Sequence, residues 1–292
     1  MTEHHRLRGM LLMLASVFCF ASLDAAVKHL SATVPVPFLA WVRYLGQLVL
    51  MIVFIGPSMG RGLLRTSRRR AMILRGITMM GTTIFSMMTF RHMPLAEATA
   101  VVFITPLLVG LLSGPVLGEK VGRAKWIAIV VGFAGVLLIA RPGGGISLEG
   151  LGWALATAVA YVIYQLQTRI LAPHENTWTL LFYTAWVGSL GMSLALPTFW
   201  TVPDIHGFDW VLLFSMGALG GGGHYLLTRA FRYAPASTLS PLLYAQLIWA
   251  ALYGALFFDH WPSHISLLGM AIIVSSSLGL ALLERHRSLR SA

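Results

Sequence analysis

Asp24, Arg43 and His224 lie inside long apolar runs of this chain, where an ionisable group is costly and each invites a functional reading. Asp24 sits on a stripe Ser16, Phe20, Asp24 with i, i+4 spacing, hence on one helix face. Arg43, in the outer part of the next run, is a candidate partner for it. An unpaired Asp24 would be driven toward its neutral form by desolvation and could carry a proton. An Asp24–Arg43 pair would instead hold the charge and fix two helices together, and the sequence leaves both open. His224 can donate a hydrogen bond or exchange a proton near neutral pH, against the alternative of a satisfied core histidine. Asp24 and His224 are therefore the proton-coupling candidates.

Further polar groups follow the same pattern. Thr157, Tyr161 and Gln165 form a second i, i+4 face, and Thr83, Tyr244 and Gln246 lie in other apolar runs. Tyr and Gln facing a wet cavity suit an organic solute with a ring and several hydrogen-bonding groups. We expect Asp24, Arg43, Thr83, Tyr161, Gln165, His224, Tyr244 and Gln246 to bind substrate. Pro106 removes one helical hydrogen bond and frees the carbonyl of Val102, which Thr105 can rebond. Gly220–Gly223 invite a bend, or close helix packing through small residues. Pro106, Gly222, Gly223 and Pro241 are the hinge candidates, with plain kinks as the alternative. Glu97 and Glu119 read as carboxylates complementing helix N-termini, and Cys19 as a small buried residue.

The elements that must position these groups are membrane spans. The chain has 292 residues, 57% hydrophobic and only 11% charged, with mean hydropathy +0.76; a soluble domain averages about 25% charged residues. A span needs about 20 apolar residues, and ten runs fit, near 9–29, 36–56, 72–90, 95–116, 123–141, 148–170, 177–196, 210–230, 236–257 and 264–284. The net charge of +11 sits in short loops between runs, an orientation signal rather than a nucleic-acid face. With the N-terminus cytoplasmic, seventeen Lys and Arg fall inside and three outside, so both termini are expected in the cytoplasm. Arg75 and the Arg-rich loop at 61–70 count among the inside charges.

The chain also repeats itself. Gly9 and Gly150 are 141 positions apart, and the same shift superposes Ala15 on Ala156, Gly76 on Gly217, Phe90-Arg91 on Phe231-Arg232 and Pro94 on Pro235. Each half carries five runs, and an odd number makes the second half enter the membrane upside down relative to the first. The expected fold is all-α, an integral membrane protein of ten transmembrane helices in two inverted five-helix repeats, residues 1–146 and 147–292. Such repeats place one site between mirror-related halves.

Local sequence adds to this pattern. Gly118-Glu119-Lys120-Val121 precedes a Gly-spaced run from Trp126 to Gly135; Pro94-Leu95-Ala96-Glu97-Ala98 and Pro235-Ala236-Ser237 open matching runs; Arg43 follows Trp41. Over about 9–285 the chain resembles the EamA-type carriers of the drug/metabolite transporter superfamily. It departs from them at Asp259-His260, where the second half lacks the Gly-Glu pair. The resemblance implies a central cavity lined by spans one, three, four, six, eight and nine, with five and ten at the periphery.

The expected function is secondary transport of a small organic solute by alternating access in the inner membrane, export or exchange of an amino acid or related metabolite. A cofactor-like cargo such as riboflavin or S-adenosylmethionine is the alternative. No G-x-x-x-x-G-K-[ST] sequence provides for ATP, and no G-x-S-x-G elbow or paired metal ligands support an intramembrane enzyme. Neither catalytic residues nor metal, cofactor or nucleic acid is expected. A monomer is favoured, because two fused halves already supply what a smaller carrier obtains by dimerising.

Overall fold

The computed structural model describes residues 3–117, 122–141, 146–199, 205–234 and 236–291. Among these there is no strand. The helices are α1 (Glu3–Leu30), α2 (Val36–Phe54), α3 (Gly56–Met59), α4 (Arg69–His92), α5 (Leu95–Val102), α6 (Thr105–Leu117), α7 (Arg123–Ile139), α8 (Leu148–Leu171), α9 (Thr177–Phe199), α10 (Asp209–Tyr233), α11 (Ala236–Leu243), α12 (Ala245–Phe258) and α13 (His264–Ser291), with a 3-10 turn at Gly60–Leu64. Seven of the described helices are long and apolar enough to cross a membrane. The Gly118–Val121 turn and Pro235 lie outside the described residues.

The 141-residue shift carries α1 onto α8, α2 onto α9, α4 onto α10, α5 and α6 onto α11 and α12, and α7 onto α13. Packing follows the same exchange. α1 packs on α10 while α8 packs on α4; α2 packs on α10 while α9 packs on α4; α7 and α13 pack on each other. Small residues set how closely these helices approach. A Cβ added at Gly217 would stand 2.7 Å from the Gly46 carbonyl carbon, and one at Gly76 would stand 2.7 Å from the Val187 Cβ. The two contacts are images of one another under the shift.

Outward faces are apolar, as lipid requires. On α7 the bulky Trp126, Ile127, Val130 and Leu137 are exposed while Gly132 and Gly135 turn inward to α13. Helix ends are satisfied by local devices. Ser147 caps α8 by accepting from the Gly150 amide at 2.9 Å. Lys28, at the end of α1, donates to the carbonyls of Phe90 (3.0 Å) and Met93 (2.8 Å), where α4 leaves its own acceptors open.

α12 ends on Asp259 at φ 48°, the left-handed conformation that glycine adopts most easily. Asp259 thus performs the turn that the absent Gly of the second half would have made, since aspartate tolerates this region better than most residues. Asp259→Gly is expected to raise stability by about 0.5–1 kcal/mol, read as a small increase in Tm in detergent. A decrease would mean that the Asp259 side chain, not its backbone, holds the turn.

Candidate functional site

The two breaks in the helices sit at matching places. α5 stops at Val102 and α6 starts at Thr105; α11 stops at Leu243 and α12 starts at Ala245. Pro106 has no amide hydrogen for the Val102 carbonyl, and Thr105 Oγ1 donates to that carbonyl at 2.6 Å instead. Pro241 lies three residues before the second break, and its carbonyl accepts from the Tyr244 amide at 3.3 Å. The glycine run behaves differently: α10 passes through Gly220–Gly223 without interruption. The bend invited there does not form, and only Gly223 is closely packed, with Gly222 open. The Phe20 ring lies against Gly223, and Arg43 and Gln47 lie over Gly220 and Gly221.

Between the broken segments lies a cavity of about 360 Å³. Asp24, Arg43, Thr83, Tyr161, Gln165, His224 and Gln246 all line it, with Pro106 at its edge. Tyr244 does not: at the α11–α12 break its ring lies against Phe103, which itself lines the cavity. Gly222, Gly223 and Pro241 are likewise absent from the lining. Phe20, Met79, Thr82, Ser86, Phe90, Thr99 and Thr157 complete much of the wall. The α4 contribution had a signal in the sequence, since Thr82, Ser86 and Phe90 repeat the i, i+4 spacing of the Asp24 stripe.

The Asp24 stripe faces α10 and α12. Ser16 Oγ donates to the Gly223 carbonyl at 2.7 Å. The Phe20 ring meets His224 edge-on at 5.0 Å between centroids. Gln246 Nε2 donates to Asp24 Oδ2 at 2.8 Å. Asp24 and Arg43 share the cavity, yet no ion pair closes between them among the described residues. Arg43 Nη1 instead donates to Thr83 Oγ1 at 3.3 Å, and its Nε is buried without a partner. Thr83 Oγ1 also lies 2.6 Å from Tyr44 Oη, which is 3.0 Å from the Met79 carbonyl. Tyr44 has one hydroxyl proton. Given to Met79, it leaves Thr83 donating to Tyr44 and accepting from Arg43.

Two charged sites beside the cavity were not foreseen in these roles. Arg75, counted only among the cytoplasmic-side charges, is buried at 3% exposure. Its guanidinium donates to Thr168 Oγ1 (2.7 Å), the Leu180 carbonyl (3.0 Å), Thr184 Oγ1 (2.8 Å) and Tyr164 Oη (2.6 Å). Tyr164 in turn stacks on Tyr161, at 13° between ring planes. Glu97 stands in the first turn of α5, as a dipole-complementing carboxylate should. It is also 2% exposed and lies 3.2 Å from His260 Nε2, beyond α12. The departure from the Gly-Glu pattern thus supplies the partner of Glu97.

The model of the EamA-like transporter family matches residues 7–141 and again 148–282. A riboflavin transporter of Vibrio cholerae is 28% identical over 293 residues, covering 99% of this chain and 97% of its own. An S-adenosylmethionine uptake transporter of Rickettsia bellii is 26% identical, over 93% and 92% of the two chains. A pseudopaline exporter of Pseudomonas aeruginosa is 27% identical, over 94% and 95%. A solved crystal structure superposes with a TM-score of 0.68 over 95% of this chain and 98% of its own, at 22% identity.

Proposed function

The chain belongs to the EamA-like transporter family, and from that premise we propose that it is a secondary carrier moving a small organic solute by alternating access. The observation that carries this reading is the cavity, lined from both halves of the chain and holding polar groups that apolar helices would otherwise exclude.

The architecture behind it is ten spans in two inverted repeats, residues 1–146 and 147–292. The seven long helices supply seven spans. α5 with α6, α7, and α8 supply the other three. The double family match and the exchange of helix partners under the 141-residue shift support a two-fold relation between the halves. Five crossings per half would make that relation an inversion, and the uneven spread of Lys and Arg supports both termini on the cytoplasmic side of the bacterial inner membrane. Rocking of one half against the other would expose the cavity to each side in turn. The matched breaks beside Pro106 and Pro241 are the hinge positions.

The cargo on this reading is an amino acid or related metabolite, exported or exchanged. The riboflavin and S-adenosylmethionine carriers among its relatives favour a cofactor-like solute as the second reading. Metabolite profiling of medium and cytoplasm from bacteria expressing the chain decides direction and cargo. Asp24→Asn and His224→Ala are each expected to cut flux about tenfold, the loss of one hydrogen bond to a charged or buried partner, with normal amounts of folded protein. Wild-type flux from both variants would remove these residues from the site. A new chemical species in either pool would replace the carrier reading with an enzymatic one.

A further inference from the structure

Resting on the carrier reading, we propose that the cavity is a two-pole site for a net-neutral solute with separated charges. A carboxylate or phosphate would sit on Arg43 and an ammonium on Asp24, with any ring against Phe20, His224 and Tyr161.

Among the lining residues Asp24 is the one acid and Arg43 the one strong base. Opposite charges lining one cavity attract, so their separation needs a cause. Gln246 holds Asp24 from the α12 side. Thr83, itself held by Tyr44, holds Arg43 from the α4 side. Each anchor is neutral and uses a fraction of the capacity of its partner. Arg43 spends one N–H, from Nη1, on Thr83, and a guanidinium offers five donors in a fork suited to carboxylate or phosphate. Gln246 is the only side chain hydrogen-bonded to Asp24 among the described residues, and it occupies Oδ2.

This arrangement discriminates by charge. A solute of one sign satisfies one pole, meets repulsion from the other and leaves an unpaired charge in a low dielectric, which is costly. An uncharged solute leaves both poles unsatisfied. A solute carrying both charges satisfies each and, with Asp24 ionised, keeps the cavity neutral. The aromatic wall leaves room for a ring without asking for one.

The test is the charge class of whatever moves in the profiling experiment, followed by competition in proteoliposomes of the purified protein. The competitors are the deaminated (anion-only) and decarboxylated (cation-only) analogues of the compound found. Wild type is expected to move a zwitterion and to prefer it at least tenfold over either analogue. Asp24→Asn should shift preference toward the anionic analogue, and Arg43→Gln toward the cationic one. If Arg43→Gln does not fold, Arg43→Lys keeps the charge and loses the fork; it should weaken the zwitterion and the anionic analogue while leaving the cationic one unchanged. An uncharged or singly charged cargo overturns the two-pole site and leaves the carrier standing. Equal losses for all three compounds in each variant overturn the assignment of the poles. No compound moved by wild type overturns the carrier reading itself.

Discussion

Tyr164→Phe is expected to destabilise the protein by about 2 kcal/mol, although it removes a single oxygen atom. That oxygen accepts from Arg75 Nη2 at 2.6 Å, in a site where the arginine is almost wholly buried. Hydrogen bonds to charged groups contribute about 1.5–3 kcal/mol, and a buried charged donor left without its acceptor loses most of that. The ring remains, so the stacking on Tyr161 and the cation–π contact with Arg75 at 4.5 Å persist. The loss is therefore assignable to the hydrogen bond. Arg75→Met tests the assignment. With the cation gone, Thr168 Oγ1 still donates to the Tyr164 carbonyl and Thr184 Oγ1 to the Leu180 carbonyl, so no buried charge is stranded. In that background Tyr164→Phe should be close to neutral. Thermal unfolding of the four proteins in detergent gives the coupling. A Tyr164→Phe effect of the same size with and without Arg75 would show that the hydroxyl acts through something else.

Arg75 also shows where reading the chain by span reaches its end. Charge counting takes it only as one more cytoplasmic-side charge at the start of the run 72–90. The structure buries it there, where hydroxyls of α8 and α9 and an α9 carbonyl surround it. Those acceptors lie about a hundred residues away, and no local pattern announces them. The helix boundaries were far more legible, since each is fixed by short-range hydrophobic runs and breakers. The shift that superposes Pro94 on Pro235 also superposes α5 on α11. Stripes were legible for the same reason: Asp24, Tyr161 and Gln165 reach the cavity because i, i+4 spacing defines a face whatever that face meets. What spacing cannot say is how far a residue at a break is rotated, and Tyr244 sits at such a break, against Phe103 and outside the lining. The partner of Asp24 was open between Arg43 and none; the answer, Gln246, comes from the other half of the chain. For the glycines of α10 composition gave two outcomes, bend or close packing, and only the neighbours decide between them.

Those neighbours make Gly217→Val the substitution with the greatest expected cost to the fold, about 3 kcal/mol or more. A Cβ at Gly217 would meet the Gly46 carbonyl carbon at 2.7 Å, its Cα at 2.8 Å and the Gln47 nitrogen at 2.9 Å, all backbone. Backbone cannot rotate away as a side chain does, so α2 and α10 must separate, and overpacking that moves helices sits at the upper end of the usual 1–3 kcal/mol. Separation would also shift Arg43, which lies on α2 over Gly220. Gly76, the counterpart of Gly217 in the first half, meets the Val187 Cβ at 2.7 Å, an atom fixed to the α9 backbone; Gly76→Ala should cost about as much as Gly217→Ala. Gly222 provides the control within the same helix. A Cβ there meets nothing within 4 Å, and alanine is the better helix former by about 1 kcal/mol, so Gly222→Ala should leave stability unchanged or slightly raised. The monodisperse fraction after detergent extraction, with Tm where a folded peak remains, ranks the four variants. If Gly222→Ala were as damaging as Gly217→Val, the glycine run would be serving helix flexibility and not the approach of α2 to α10.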